Sequence, residues 1–157
     1  MQVLLRPYRS DEFDRICDIR GLDSLERRNR FKARLENGDQ WFDHYLHLAI
    51  ESDGVLVGDF QLRHCDRTRP DGAWDMGLEL AEECRGLGIG THALKVGTKY
   101  AFEHGAHRLE GSTDVNNAAM RRVFEKAGWN FEGILHALFI EDGQPQDYYS
   151  YAITKFD

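Results

Sequence analysis

The chain has few cysteines and no excess of basic residues, and each shortage excludes a class of protein. Its three cysteines, Cys17, Cys65 and Cys84, lie far apart and form no C-x-x-C pair. An odd number at such spacing indicates neither a disulfide framework nor a zinc site. Twenty basic residues against 27 acidic ones give a formal charge of −7, whereas a nucleic-acid surface normally shows a basic excess. We therefore expect no nucleic-acid partner.

Long apolar runs are also absent. No stretch approaches the roughly 18 apolar residues of a transmembrane helix. Met1 to Leu5 is a short apolar patch that Arg6 and Pro7 interrupt at once, which is unlike a signal peptide. We expect no membrane partner and a cytoplasmic location. A length of 157 residues with 41% hydrophobic content is typical of a single globular domain, residues 1–157.

The histidines form no evident metal site. Two H-x-x-H pairs occur, His44 with His47 and His104 with His107. Neither pair has cysteines nearby or a clear third ligand, although zinc sites use three or four protein ligands. The sequence therefore predicts no metal.

Hydrophobic periodicity, caps and turn residues predict an α/β (α+β) domain with a mixed sheet. Early antiparallel hairpins and a late βαβ unit give such a sheet, with helices packed on it. The predicted strands are Val3–Leu5, Leu46–Glu51, Val55–Arg63, Trp74–Ala81, His107–Thr113, Phe131–Ile140 and Tyr148–Thr154. The predicted helices are Asp11–Arg20, a second opened by Asp23-x-x-Glu26 and ended near Asn37-Gly38, Ile89–Glu103 and Asn117–Ala127. The turn-rich segments Asp66–Gly72 and Glu141–Asp147 join strands.

The most informative segment links the fourth strand directly to the third helix. It reads Leu80-Ala81-Glu82-Glu83-Cys84-Arg85-Gly86-Leu87-Gly88-Ile89-Gly90-Thr91. Its glycines let the backbone approach a ligand without a Cβ in the way, and the helix start suits a diphosphate. The segment has neither the Lys-Ser/Thr of a P-loop nor the G-x-G-x-x-G of a Rossmann unit. Glycine spacing alone also fits a strand-to-helix turn without a ligand.

Arg85-x-x-Gly88-x-Gly90 resembles the R/Q-x-x-G-x-G/A signature of the GNAT superfamily of acyl-CoA N-acyltransferases. Further segments resemble its RimJ/RimL-like branch and follow in the same order along nearly the whole chain: Leu4–Tyr8, Met76–Leu80, Arg85–Thr91, Asn117–Trp129, Phe131–Gly133 and Asp147–Tyr149. The resemblance implies the GNAT fold, a central mostly antiparallel sheet with a splayed parallel strand pair and flanking helices.

The resemblance also implies a co-substrate, acetyl-CoA, with its pyrophosphate at the glycine loop and its pantetheine arm along the preceding strand. The implied cofactor-binding residues are Leu78, Glu79, Leu80, Arg85, Gly86, Leu87, Gly88, Ile89, Gly90, Thr91, Asn117 and Phe124.

One position departs from the family pattern. Many GNAT enzymes have a tyrosine that protonates the leaving thiolate, and its position here holds Phe124, which has no proton to donate. Tyr148, Tyr149 and Tyr151 are alternative donors. An acid is also dispensable, because a thiolate whose parent thiol has a pKa near ~8.5 leaves without much help.

Three carboxylates are candidate bases for the acceptor amine, and one or none of them is expected to act. Asp75 and Glu79 lie on the strand before the loop, and Glu110 on the strand after the helix. Side chains alternate along a strand, so Asp75 and Glu79 share a face. An otherwise apolar strand would raise their pKa values. The alternative is that all three are solvated charges.

We therefore expect an acetyl-CoA-dependent N-acetyltransferase. Its acceptor would be a primary amine, on a protein N-terminus or on a small molecule such as an antibiotic, a polyamine or a peptide. Two alternatives stay open: another donor such as succinyl-CoA, with Arg63 or Arg67 holding the acyl carboxylate, and a CoA-binding sensor without catalysis. A homodimer is possible, as among relatives. Asp59 would attract a cationic amine or simply lie at the surface.

Overall fold

The computed structural model describes residues 1–157 as one seven-stranded sheet with four α-helices. The strands are β1 (Val3–Arg6), β2 (Tyr45–Ser52), β3 (Val55–His64), β4 (Ala73–Leu80), β5 (Arg108–Asp114), β6 (Asn130–Glu141) and β7 (Gln144–Thr154). The helices are α1 (Phe13–Ile19), α2 (Leu25–Leu35), α3 (Ile89–Glu103) and α4 (Ala118–Lys126). None of these helices has the length and apolar character needed to cross a lipid bilayer.

The sheet is mixed, with one parallel pair near its middle. Its strand order is β1-β2-β3-β4-β5-β7-β6. Every neighbouring pair is antiparallel except β4 and β5, which are parallel. Only Ala73–Asp75 of β4 pair with Arg108–Glu110 of β5, and the two strands then separate. The mostly antiparallel sheet with a splayed parallel pair, expected from the sequence, is confirmed.

Helices cover both faces of the sheet and bury two apolar clusters. The larger cluster packs α3 and α4 against one face, with Phe60, Leu94 and Leu109 fully buried at its centre. The smaller one packs α1 and α2 against the other face through Ile16 and Phe31. Side chains of β3 alternate between the two faces, since Phe60 packs on Gly97 of α3 while the adjacent Asp59 pairs with Arg20 at the end of α1.

Two helix starts differ from the sequence prediction. The first helix begins as a 3₁₀ turn, Ser10–Glu12, before α1 proper. The second is capped by Ser24, whose hydroxyl accepts a hydrogen bond from the Arg27 amide at 3.2 Å. Asp23, the predicted cap, instead forms an ion pair with Arg27. A serine next to an aspartate offers two acceptable caps, and residue types alone do not choose between them.

The last hairpin is tighter than predicted. The sequence indicated a connection from Glu141 to Asp147, whereas β7 already starts at Gln144. Asp142 and Gly143 have φ angles of 49° and 73°, the left-handed backbone of a two-residue hairpin turn. The Asp-Gly pair alone makes the turn, so the polar residues after it continue as a strand.

Gly97 fixes how closely α3 approaches the sheet. A Cβ at this position would lie 2.1 Å from Cζ of Phe60, a fully buried side chain of β3. The phenyl ring therefore packs directly on the helix backbone, and the glycine is required by packing.

We predict that Gly97→Ala destabilises the protein. Helix propensity alone favours alanine by about 0.8–1.0 kcal/mol, but overpacking a filled core typically costs about 1–3 kcal/mol. Urea denaturation measures the net sign. Gly97→Ala combined with Phe60→Leu should recover part of the loss, and Val96→Ala on the more exposed face is the control. A Gly97→Ala midpoint equal to or above that of the unaltered protein would contradict the packing argument.

Candidate active site

A cavity of about 690 Å³ lies beside the end of β4, beyond the point where this strand parts from β5. Its walls come from the end of β4, the glycine loop, the first turn of α3 and one side of α4. The lining residues are Leu78, Glu79, Leu80, Arg85, Gly86, Gly88, Gly90, Thr91, Asn117, Ala119, Met120, Arg122, Val123 and Lys126.

The β4 wall presents backbone groups without a strand partner. The Ala81 amide donates to the Val57 carbonyl of β3 at 2.8 Å. Backbone groups alternate sides along a strand, so those of Leu78 and Leu80 face away from β3, into the gap left by β5. The Leu80 carbonyl accepts a hydrogen bond from Arg85 Nε at 3.3 Å. The edge at Leu78 can therefore pair with an extended ligand that carries amide groups.

The glycine loop opens α3 with free amide groups. Gly86 and Gly88 have φ angles of 76° and 84°, which glycine adopts without strain. Gly88 is the N-cap of α3, no side chain caps the helix, and its first turn has no acidic residue. A Cβ at Gly90 would lie 3.4 Å from Val123 and would narrow the cavity. Unpaired amides and the positive end of the helix dipole together favour an anion here.

The α4 wall adds positive charge that the sequence analysis missed. Asn117 caps the helix by accepting from the Met120 amide at 3.0 Å. The missed lining residues are Ala119, Met120, Arg122, Val123 and Lys126. Ala119, Arg122, Val123 and Lys126 follow the i, i+3, i+4, i+7 spacing of one helix face, which was the available signal. Arg122 and Lys126 therefore line the same cavity as Arg85, which makes three cationic side chains in its wall.

Three residues predicted to bind the cofactor do not line the cavity. The Leu87 side chain is largely exposed, and Ile89 is buried against the sheet. Phe124 is 1% exposed and its ring stacks on that of Tyr151, with centroids 4.8 Å apart. The alternative acids Tyr148 and Tyr149, like Tyr151, are absent from the cavity wall. Phe124 thus contributes to the core, and no tyrosine lines the cavity.

Of the three candidate bases, Glu79 alone lines the cavity. Burial raises the pKa of Glu79, the charge of Arg20 opposes this, and the nearby Asp59 adds to it. A carboxylate with a raised pKa beside an anion site is suited to accept a proton from an amine. Its role as base stays a prediction.

The other two carboxylates are held in ion pairs where β4 and β5 still pair. Asp75 lies 2.9 Å from Arg63, and Glu110 lies 3.0 Å from Arg69 and 3.1 Å from Arg108. Burial raises the pKa of Asp75, and the charge of Arg63 opposes the shift. Asp75 and Glu110 are partners in the strand register, so they stand together at the closed end of the gap.

A buried polar network is centred on Asp59, the β3 residue next to Glu79 in the sheet. Asp59 is fully buried, opposite Glu79 in the strand register, and is not the surface residue that the sequence allowed. It accepts hydrogen bonds from the Tyr8 hydroxyl at 2.6 Å and from His47 Nδ1 at 3.0 Å, and it forms an ion pair with Arg20. Burial alone would raise the pKa of Asp59. The hydrogen bond and charge of His47, followed by the charge of Arg20, hold that pKa below its usual value.

An open strand edge beside a helix start with free amides is an arrangement that suits an extended ligand carrying phosphate. A family model described as "Acetyltransferase (GNAT) domain" matches residues 2–130. This match covers well over half of the chain, and the fold agrees with it. The chain belongs to the GNAT acetyltransferase family, as the sequence resemblance implied.

Two proteins of Bacillus subtilis (strain 168) are similar over almost the whole chain. The probable N-acetyltransferase YjcK is 29% identical over 160 residues, which cover 98% of this chain and 86% of that protein. The SPbeta prophage-derived uncharacterized N-acetyltransferase YokL is 27% identical over 153 residues, which cover 91% and 82%. Both names agree with the family.

Solved structures share the fold. A chimera of the spermidine N-acetyltransferase SpeG from Vibrio cholerae and hSSAT has a TM-score of 0.81 at 18% identity, over 99% of this chain and 97% of its own. RimJ from Mycobacterium smegmatis, in complex with CoA-disulfide, has a TM-score of 0.77 at 24% identity, over 98% and 82%. At these identities the likeness concerns the fold.

We predict that Asp59→Asn strongly destabilises the fold. Removing one partner of a buried ion pair costs about 3–5 kcal/mol, whereas Tyr8→Phe removes one hydrogen bond to a charged group, worth about 1.5–3 kcal/mol. Because the folded pKa is lowered, the stability from Asp59 is present above the unfolded pKa near ~3.9 and is lost as pH falls through the folded value. Denaturant unfolding at neutral and acidic pH measures both effects.

The exposed Asp23→Asn serves as the control for Asp59→Asn and should shift stability little. The argument fails if Asp59→Asn matches this control at neutral pH. It also fails if the gap between Asp59→Asn and the unaltered protein does not narrow in acid.

Proposed function

We propose that residues 1–157 act as one domain that transfers an acetyl group from acetyl-CoA to a primary amine. The cavity carries this proposal, because its parts match those of coenzyme A. The β4 edge suits an extended arm with amide groups, and the start of α3 suits a diphosphate. Arg85, Arg122 and Lys126 line the same cavity and suit the remaining phosphate charge.

Acetyl-CoA supplies an acetyl group already activated as a thioester. The chain's residues then have to hold the donor, align the amine and take up its proton. Backbone groups of Leu78 on the open edge of β4 orient the donor arm and can donate to a carbonyl oxygen that becomes negative. Glu79 is the carboxylate on the same wall.

A proton acceptor matters because only a neutral amine has a lone pair for attack. A protein α-amine has a pKa of about 7.7–8.0 and a lysine or similar alkyl amine about 10.4. At neutral pH roughly one α-amine in ten is neutral, against about one alkyl amine in a few thousand. An α-amine thus needs less help from Glu79 than a polyamine does.

We propose that the acceptor is a protein α-amine. We also propose that the enzyme belongs to the RimJ/RimL-like branch and acts in the cytoplasm. The sequence resemblance to that branch supports this acceptor class. A ribosomal-protein-alanine N-acetyltransferase from Brucella melitensis shares the fold. The same fold also occurs in the spermidine enzyme, so the fold itself does not select the acceptor.

The geometry favours acetyl-CoA over a succinyl donor. Arg63, a candidate for holding an acyl carboxylate, is already paired with Asp75 and donates to the Met76 carbonyl at 2.9 Å. Arg67 lies in the loop after β3, and neither arginine lines the cavity. A carboxylate on the acyl group would therefore find no free cation from these two residues.

The homodimer also stays a prediction. β6 is an edge strand with many exposed apolar side chains, which support a surface that a second copy would cover. They are Phe131, Ile134, Leu135, Leu138, Phe139 and Ile140.

We predict that acetyl-CoA stabilises the protein through the α4 cations. Ligand at about 100 times Kd adds about 2.7 kcal/mol, which raises Tm by about 5–10 °C for a domain of this size. Arg122→Ala and Lys126→Ala should each reduce the shift, while Lys99→Ala on α3, outside the cavity, should not. Thermal unfolding with acetyl-CoA, CoA and succinyl-CoA measures this. No shift with any of them would overturn the cofactor assignment.

We predict that Glu79→Gln lowers kcat/KM by about 10²–10⁴-fold, the range for a positioned base. The unaltered enzyme should lose activity as pH falls through the raised pKa of Glu79, and the variant should lose this acidic limb. Thiol release with a peptide α-amine and with spermidine, measured from the ordinary glutamate pKa of ~4.3 up to alkaline pH, tests both effects. Glu82→Gln, on the exposed turn before the loop, is the matched control.

Two outcomes would revise this proposal. If Glu79→Gln and Glu82→Gln have the same kcat/KM throughout, Glu79 is not the base. If acetyl-CoA binds but no amine releases thiol, the domain is the non-catalytic CoA-binding module that the sequence left open.

A further inference from the structure

Three side chains with metal-ligating atoms meet at the end of β3, away from the cavity. They are His44, His64 and Asp66, and one ligand atom from each lies within 4.8 Å of the other two. His44 Nδ1 and Asp66 Oδ2 are 3.2 Å apart. We propose that this trio binds one divalent first-row transition-metal ion, for which Zn²⁺ is the probe.

The prediction of no metal considered the histidines only as H-x-x-H pairs, neither of which has a clear third ligand nearby in the sequence. In the structure both H-x-x-H pairs separate. His47 points to the buried Asp59, and His104 Nδ1 lies 2.7 Å from the Tyr100 carbonyl. His44 instead meets His64 across two strands, a contact that no local spacing indicates.

The backbone fixes each member of the trio. Tyr45 pairs with Arg63 in the β2–β3 register, so the next positions outward bring His44 opposite His64. The His64 amide donates to the His44 carbonyl at 3.0 Å. Asp66 follows in a turn that is closed by two amides donating to the Cys65 carbonyl, each at 2.8 Å. These hydrogen bonds therefore hold the backbone of the three residues in place, whatever rotamers their side chains adopt.

The His64 imidazole is held in place by stacking. Its ring lies 3.6 Å from that of Trp41 and 5.0 Å from that of Trp74, measured between centroids. Its Nε2 is buried and has no hydrogen-bond partner in the chain. Buried polar atoms are normally hydrogen-bonded. Ring stacking thus fixes the imidazole, while its Nε2 makes no hydrogen bond within the chain.

The spacing suits a small cation. Zinc bonds of about 2.0–2.1 Å to nitrogen and oxygen place tetrahedral ligands roughly 3.3 Å apart, which is close to the His44–Asp66 separation of 3.2 Å. Both of these side chains are exposed, so rotation can bring them nearer to the fixed His64. Two imidazoles and one carboxylate select Zn²⁺, Ni²⁺ or Co²⁺ over Mg²⁺ and Ca²⁺, and a fourth position stays open to water.

A second pair on the surface shows what distinguishes this cluster. His136 Nδ1 lies 3.3 Å from Asp147 Oδ2, and both side chains are exposed, much as in His44 and Asp66. That pair belongs to no group of three ligands. His136 is therefore a matched control for a histidine–aspartate contact without the third ligand.

The position of the cluster indicates a structural role. His64 is in register with Trp74, at the start of β4, whereas the cavity wall begins at Leu78 of that strand, about 13 Å further along at ~3.3 Å per residue. An ion here would tie the turn before β2 to the loop after β3. Bound metal should raise thermal stability and leave acetyl transfer unchanged, so this inference stands apart from the proposed function.

Isothermal titration of untagged, chelator-treated protein tests the site. We expect one Zn²⁺ per chain, similar stoichiometry for Ni²⁺, and no saturable binding of Mg²⁺. His44→Asn and Asp66→Asn should each weaken Zn²⁺ binding at least tenfold, and His136→Ala should leave it unchanged. Asn tolerates the left-handed backbone of His44, whose φ is 65°. Zn²⁺ should also raise Tm, reversibly with a chelator.

The variants are compared for folding by their Tm without metal. Absence of saturable Zn²⁺ binding would overturn the proposal. So would equal affinities for His136→Ala and His44→Asn, or tight binding that survives the combination of His44→Asn with Asp66→Asn. In those cases the cluster is an ion pair beside a stacked histidine.

Discussion

The parallel pairing of β4 with β5 joins Ala73–Asp75 to Arg108–Glu110 and stops there, and the rest of the structure depends on this stopping point. Beyond that point β4 stays with β3 and β5 with β7. The first β5 residue past the last pair is Gly111, where a Cβ would lie 3.0 Å from the Phe124 ring and 3.1 Å from the Met76 sulfur. An aromatic ring from α4 thus occupies the place where the strands part, and the gap beyond it becomes the cavity.

The two ends of that gap differ in charge. At the closed end, carboxylates and arginines neutralise one another, with Asp75 and Glu110 both in ion pairs. At the open end, cations line the cavity beside the free amides of α3. A chain with a formal charge of −7 can therefore hold a polyanion, because the local arrangement of charge and not the net value decides binding.

The sequence predicted most of the helices and strands and the place of the glycine loop between β4 and α3, but not the contacts between distant segments. The glycine loop could be predicted because its geometry depends on consecutive residues, from Arg85 to Thr91. The cations of α4 repeat at helix spacing and were within reach, yet only the fold shows which side of the helix meets the loop. By residue type, Asp59 was consistent with a surface position. Phe124 was expected to contact the cofactor. Their burial follows from tertiary packing, which no local pattern encodes.

The buried carboxylate of Asp59 also acts on the alignment of the sheet. Its partners come from separate segments: Tyr8 after β1, Arg20 after α1 and His47 on β2. A slip of β3 by one residue would turn Asp59 toward the apolar cluster under α3 and would turn Phe60 toward the polar side. A misaligned sheet would thus carry an unpaired charge in its core. Asp59, which stands opposite the proposed base Glu79, therefore also favours the strand register on which the cavity depends.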